Sequence, residues 1–257
     1  MLTARRNRVW RQSRSPPRPR FALGRGGLVD GAPPAWAAEV VSSNIVGYQK
    51  VSVPAGLTII GQQFVAIGGA PASIQTIQAD GLADGGMDSI QVWTGSDYEY
   101  YSYFSASDNI KGDDTAAWGD DNWEPVDETI AAGTGFWISA SDNATITFAG
   151  EVGSVNTVTV PAGLSLVTPT LPADINIQSI QADGLADGGM DSIQVWNGSE
   201  YEYYSYFSAS DNIKGDGTAA WGDDNWEPVD VTLYAGYGFW VSASGDSTLT
   251  FPTVSNN

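Results

Sequence analysis

Ser89-Ile90-Gln91-Val92-Trp93-Thr94-Gly95-Ser96-Asp97-Tyr98-Glu99-Tyr100-Tyr101-Ser102-Tyr103-Phe104 reads as two strands and the turn between them. The first run alternates apolar and polar residues, Thr94-Gly95-Ser96 reverses the chain, and the second run returns beside the first. Successive side chains on a strand point to opposite sides. Tyr98, Tyr100, Ser102 and Phe104 therefore share one face, and Glu99, Tyr101 and Tyr103 the other. Aromatic residues on both faces place some of them outside the core wherever one face meets water. The passage recurs 103 residues later with Asn197-Gly198 at the turn, a strong hairpin signal because both residue types tolerate positive φ.

The repetition extends well beyond the hairpin. Ile77 to Asp127 returns as Ile180 to Asp230, and only three of these 51 positions differ: Thr94/Asn197, Asp97/Glu200 and Asp114/Gly217. Upstream, Val53-Pro54-Ala55-Gly56-Leu57 returns as Val160-Pro161-Ala162-Gly163-Leu164 at a shift of 107, so copy one carries four extra residues before Ile77. Downstream, Gly135-Phe136-Trp137-Ile138-Ser139 matches Gly238-Phe239-Trp240-Val241-Ser242. Further strands are expected at 46–53, 57–66, 123–130, 135–140 and 143–148, with the second copy opening at 155–160. No segment carries an apolar period of 3.6 residues over three turns. The fold expected is all-β, with two tandem homologous antiparallel domains, each a β-sandwich or a small β-barrel, at 40–148 and 149–257. Only 149–154 separates the closing strand of copy one from the opening strand of copy two. By analogy, a second molecule's opening strand near 45–53 is permitted to follow the final strand, 248–251, head to tail.

The chain has 257 residues, with 11 basic and 30 acidic side chains and neither histidine nor cysteine, for a net charge of −19. This excludes disulfides, Cys or His zinc sites, cysteine nucleophiles and Ser-His-Asp triads. All eight arginines lie in the first 25 residues; beyond them the bases are Lys50, Lys111 and Lys214. After Ala37, 29 acids therefore face three bases, a charge of −26. Such a surface repels nucleic acid, draws cations and keeps the chain dissolved. Residues 1–37 read as a leader: a basic start, then Ala35-Trp36-Ala37 in the small-x-small form of a signal-peptidase site. The apolar middle is broken by Arg25, Asp30 and Pro33-Pro34, as a mis-called start would also leave it. No run of eighteen apolar residues is present, so no membrane span is expected. The expected location is extracellular or on the cell surface.

Val46-Gly47-Tyr48-Gln49-Lys50, followed by Val53-Pro54-Ala55-Gly56, resembles the opening of an uncharacterised family of exported bacterial tandem β-domain proteins. These begin with a V-G-Y-x-K strand and close each unit with G-x-x-F-W, here Gly133 to Trp137. Copy two departs from the opening motif, having Val152-Gly153-Ser154-Val155 instead. The resemblance implies a secreted or surface location and supplies no catalytic residues.

Two chemistries are open to the loops. Residues 105–128 hold eight acids, and the matching stretch of copy two holds six. Hard divalent cations take 6–8 oxygens, so Asp113, Asp120, Asp121, Asp216, Asp223 and Asp224 are candidate calcium ligands. A second acidic group, Asp80, Asp84 and Asp88, lies among glycines and recurs at Asp183, Asp187 and Asp191. Neither has EF-hand spacing, and the competing reading is Asp capping its own turns. The other chemistry is sugar recognition, in which an exposed aromatic ring stacks on a pyranose beside carboxylates that accept its hydroxyl protons. Trp118 and Trp123, with Trp221 and Trp226, flank an acidic loop and are the candidate ligand-binding residues; cross-strand packing is the competing role. Paired carboxylates are too abundant here to mark a hydrolase, and neither phosphate-loop nor dinucleotide motifs occur. The expected function is therefore non-enzymatic: a structural or adhesive surface protein, self-associating into a fibre or layer or meeting neighbouring surface proteins. A carbohydrate-binding module acting on polysaccharide is the alternative.

Overall fold

The computed structural model describes residues 46–253, which fall within one compact unit. The leader-like residues 1–37 lie outside the described residues. The described chain is all-β, with 21 strands in small antiparallel sheets and two single 3-10 turns. Among these residues no helix is long and apolar enough to cross a membrane.

In copy one, the opening strand Val46–Val53 pairs along its whole length with the closing strand Ala144–Val152, which also holds Phe64–Val65 and Gln78–Asp80. A five-stranded sheet faces it, in the order Gly56–Gly61, Gly135–Ala140, Ser89–Trp93, Tyr98–Phe104, Ala117–Gly119. The hairpin takes the register its alternation implies, Trp93 opposite Tyr98 and Ile90 opposite Tyr101. Val51, Val53, Ile146 and Phe148 from one sheet meet Ile60, Ile90, Tyr101, Tyr103, Phe136 and Ile138 from the other in a single core. Copy two builds a matching core from Val160, Ile193, Tyr204, Phe239, Val241, Leu249 and Phe251.

Two expectations change. The stretch 123–130 is largely irregular, and only Thr129–Ile130 is strand. The loop at Asn197 spans four residues. Gly198 takes positive φ (+102°), but Asn197 instead caps the loop by accepting from the Ser199 and Glu200 amides. The last strand, Ser247–Thr250, is flanked on both sides, by Thr157–Val160 and Gln181–Asp183, so both its edges are occupied within the chain.

A third core joins the copies. Ile59, Trp137, Leu166 and Trp240 are buried in it, with Trp93, Tyr98, Trp196 and Tyr201 around them. Its contacts come in reciprocal pairs. Trp93 meets Trp240 edge-on with centroids 5.6 Å apart, and Trp196 meets Trp137 at 5.7 Å. The Trp93 indole N–H donates to the Leu164 carbonyl (2.8 Å), and that of Trp196 to the Leu57 carbonyl (2.9 Å). Thr168 N donates to Gly133 O and Gly61 N to Gly236 O. Gly133 and Gly236 have positive φ, and a β-carbon on either would strike Val158 or Val51 of the other copy. These contacts from one copy are returned by their counterparts, the arrangement of an isologous interface around a pseudo-two-fold axis, while Gln63 and Tyr237 add one-sided bonds to Pro169 O and Leu171 O and to Ser52 O.

Candidate functional site

The acidic loop at the edge of each five-stranded sheet is built around one carboxylate. Asp120 Oδ1 accepts from the amides of Asn122 (2.9 Å) and Glu124 (3.0 Å), while its Oδ2 accepts from the Asn122 side chain (3.1 Å). The Glu124 amide and the Asn122 side chain hold the Asp120 carboxyl below the ordinary carboxylate range. Asp120 N closes the loop on Glu124 O (3.0 Å). Asp223, Asn225 and Glu227 repeat the arrangement in copy two.

This capping fixes the residue between its two anchors. Trp123 is held at φ +64°, in the left-handed region, and so is Trp226. A bulky side chain rarely adopts that conformation. Trp123 is 53 % exposed and Trp226 54 %. Each indole leans on a buried phenylalanine, Phe104 at 4.9 Å and Phe207 at 5.0 Å between centroids. One side of each ring is braced and the remainder meets water.

The other candidate aromatics are placed differently. Trp118 and Trp221 are 1 % exposed, and their indole N–H groups donate to the buried carbonyls of Ile77 and Ile180. They are core residues and present no face to a ligand. Strand alternation explains this: Trp118 lies opposite Tyr103, whose side chain points inward.

The six aspartates expected to hold calcium are occupied within their own turns or turned to solvent. Asp113 accepts from the Thr115 hydroxyl and amide, and the hydroxyl holds its carboxyl below the ordinary range; Asp216 and Thr218 repeat this. Asp120 and Asp223 cap the loops described above, and Asp121 and Asp224 are exposed. Among the described residues, no three acidic side chains converge on a common point suited to a metal ion. The reason is local: Asp beside Asn, Thr or Gly finds backbone donors two residues on before it finds another carboxylate.

The second acidic group divides likewise. Asp88 is buried and accepts from Ala83 N (2.7 Å), Ser141 N (2.9 Å) and the Ser141 hydroxyl (2.6 Å); Asp191 makes the same three bonds with Ala186 and Ser244. These are structural staples between the glycine loop and the end of a sheet strand. Gln75 and Gln178 staple the acidic loop to the core, donating to Trp118 O and Val126 O, and to Trp221 O and Val229 O. No motif in the sequence marks these glutamines; their only signal is their recurrence at a spacing of 103. The chain matches no family model, no curated protein and no solved structure.

Proposed function

We propose that each copy is a β-sandwich and that the pair forms a non-enzymatic, exported surface protein that adheres to glycans through Trp123 and Trp226. The observation that carries this reading is the left-handed backbone of two half-exposed tryptophans. Holding a non-glycine residue there costs of order 1–3 kcal/mol, and such strain concentrates at working sites. Glycine or asparagine would relieve it, yet both copies have tryptophan. The indole is rigid, braced from behind and ringed by exposed Asp121, Asn122 and Glu124. That combination suits a sugar ring, whose C–H face stacks on the indole while its hydroxyls donate to carboxylates. Two such sites on one clasped unit raise retention on a polymeric ligand through effective concentration.

The test is retention of the full chain in gels containing neutral or acidic polysaccharides, with Trp123→Ala, Trp226→Ala and the double variant. Each single variant is expected to weaken retention and the double variant to weaken it further, with circular dichroism unchanged. Retention of a folded double variant equal to that of the parent would overturn the assignment.

A further inference from the structure

The two copies are so alike that their differences are informative. Over the 64 aligned positions from Ile77/Ile180 to Ala140/Ala243, eight differ. Five of the eight, Asn197, Val231, Leu233, Tyr234 and Tyr237, line a single cleft at the junction of the copies. That cleft uses only twelve of the 64 positions, so the other 52 hold just three differences. Divergence spread evenly would have placed one or two there.

The cleft has a volume of about 360 Å³, within the size range of small-ligand sites. Pro54, Thr58 and Ile59 of copy one form one wall; Trp196, Tyr234, Tyr237 and Phe239 of copy two are the aromatic part of the other. Its aromatic residues are held by different means. Trp196 is pinned by its bond to Leu57 O and by Tyr201 at 5.0 Å. Tyr237 is anchored across the junction, its hydroxyl donating to Ser52 O at 2.8 Å. Tyr234 is 62 % exposed. Copy one has Ala131 and Thr134 where these tyrosines stand, so its equivalent surface lacks both rings.

The direction of change identifies the ligand class. Relative to copy one, the cleft has exchanged Glu128 for Val231, and Ala131 and Thr134 for two tyrosines. It has lost a carboxylate and gained aromatic area. A cation would favour the reverse exchange. An anion is disfavoured on other grounds, because among the described residues no lysine or arginine lines the cleft and Glu202 does. The hydrogen bond from the Tyr204 hydroxyl, then that from Asn197, keeps the Glu202 carboxyl below its ordinary range, so it is an ionised acceptor at neutral pH. Aromatic walls beside a hydrogen-bond acceptor fit a ligand with apolar ring faces and hydroxyl donors.

We propose that this cleft binds a neutral saccharide of one or two rings, stacked against Tyr234 and Tyr237 with its hydroxyls directed to Glu202. The site shares the ligand class proposed above but none of its residues, so the two stand or fall separately.

The experiment is titration of the full chain, followed by tryptophan fluorescence and calorimetry. The probes are neutral disaccharides of glucose, galactose and mannose, with galacturonic acid and tetramethylammonium as charged controls. In the Trp123→Ala, Trp226→Ala double variant, saturable binding of at least one neutral sugar at one site per chain is expected, weakened at least tenfold when Tyr234→Ala, which copies residue 131, is added. A folded triple variant that binds as that double variant does would overturn the proposal. So would saturation by tetramethylammonium alone, or no saturable binding of any neutral sugar tested.

Discussion

Trp240→Ala tests whether the copies stand or fall together. Trp240 and its counterpart Trp137 are each 6 % exposed in the third core, and Trp240 also donates its indole N–H to the Tyr201 hydroxyl at 3.2 Å. Truncating a buried tryptophan to alanine costs roughly 3–5 kcal/mol through lost transfer free energy and the cavity left behind. In a protein of this size each kcal/mol lowers Tm by about 2–4 °C, so a loss of about 4 kcal/mol corresponds to about 8–16 °C. The removed ring belongs to copy two, but it packs on Trp93 of copy one at 5.6 Å. Differential scanning calorimetry should therefore show one transition in the parent and one, shifted as a whole, in the variant. Trp137→Ala should give a shift of the same size, because its contacts are the reciprocal ones. Two separated transitions, with the one assigned to copy one unmoved, would refute the clasp as the unit of stability. A shift below about 3 °C would refute the packing argument itself.

Asp88→Asn replaces a buried carboxylate that accepts three hydrogen bonds, turning an NH2 group toward an N–H or O–H donor. A loss of roughly 2–3 kcal/mol is expected in urea unfolding, with an equal loss for Asp191→Asn. The pH profile should fall on both flanks. Burial raises the hydroxyl pKa of Tyr98, Tyr101, Tyr103, Tyr201, Tyr204, Tyr206 and Tyr237, and for Tyr101 and Tyr204 the bond donated to Glu99 or Glu202 adds to the effect. A group whose pKa is raised by folding contributes stability that is whole below its unfolded pKa, about 10 for tyrosine, and is lost as pH rises through the folded value. Asp113, Asp120, Asp216, Asp223 and Glu202 are shifted downward. Their contribution is whole above about pH 4 and is lost as pH falls through their folded values. Thermal melts should thus give a plateau from about pH 5 to 9 and a clear drop by about pH 11; a Tm still flat at that pH would contradict the tyrosine placement.

What was legible in the sequence was whatever depends on alternation and repetition. The 89–104 hairpin has the expected register because its inward residues, Ile90, Tyr101 and Tyr103, are fixed by a period of two. The strands at 46–53 and 135–140 follow equally well from their apolar, β-branched composition. The stretch 123–130 misled because Trp, Val, Thr and Ile look like strand, whereas Asp120, from outside the stretch, draws its start into a capped loop. Trp118 and Trp123 could not be told apart by composition. They differ because one is on a strand with an inward face and the other follows a cap that imposes positive φ. The contact between copies was invisible for a different reason: pairing of Trp93 with Trp240 depends on how two sheets cross, and no local pattern encodes that.

The clasp also accounts for where the copies have been free to differ. In an isologous contact each residue meets its counterpart's surroundings, so Trp93 and Trp196, or Gly133 and Gly236, answer to nearly the same geometry. A change tolerated in one would have to fit a partner surface that its twin also uses. The hairpin and the 135–140 strand of the sheets that build this contact are almost unchanged between copies, whereas 56–61 and 163–168 differ at four of six positions, Ile59/Leu166 among them. The exchange of Ala131 for Tyr234 lies where one side opens into a cleft, whereas that of Thr134 for Tyr237 falls within the contact, at the bridges of Thr134 with Val167 and of Tyr237 with Ile60. Closure has a second consequence. The interface uses corresponding surfaces of both copies, and each closing strand has paired neighbours on both edges. Among the described residues the outer edge of Val46–Val53, with Val46 and Tyr48 exposed, pairs with no other strand, and an edge of that kind offers a template for a further strand.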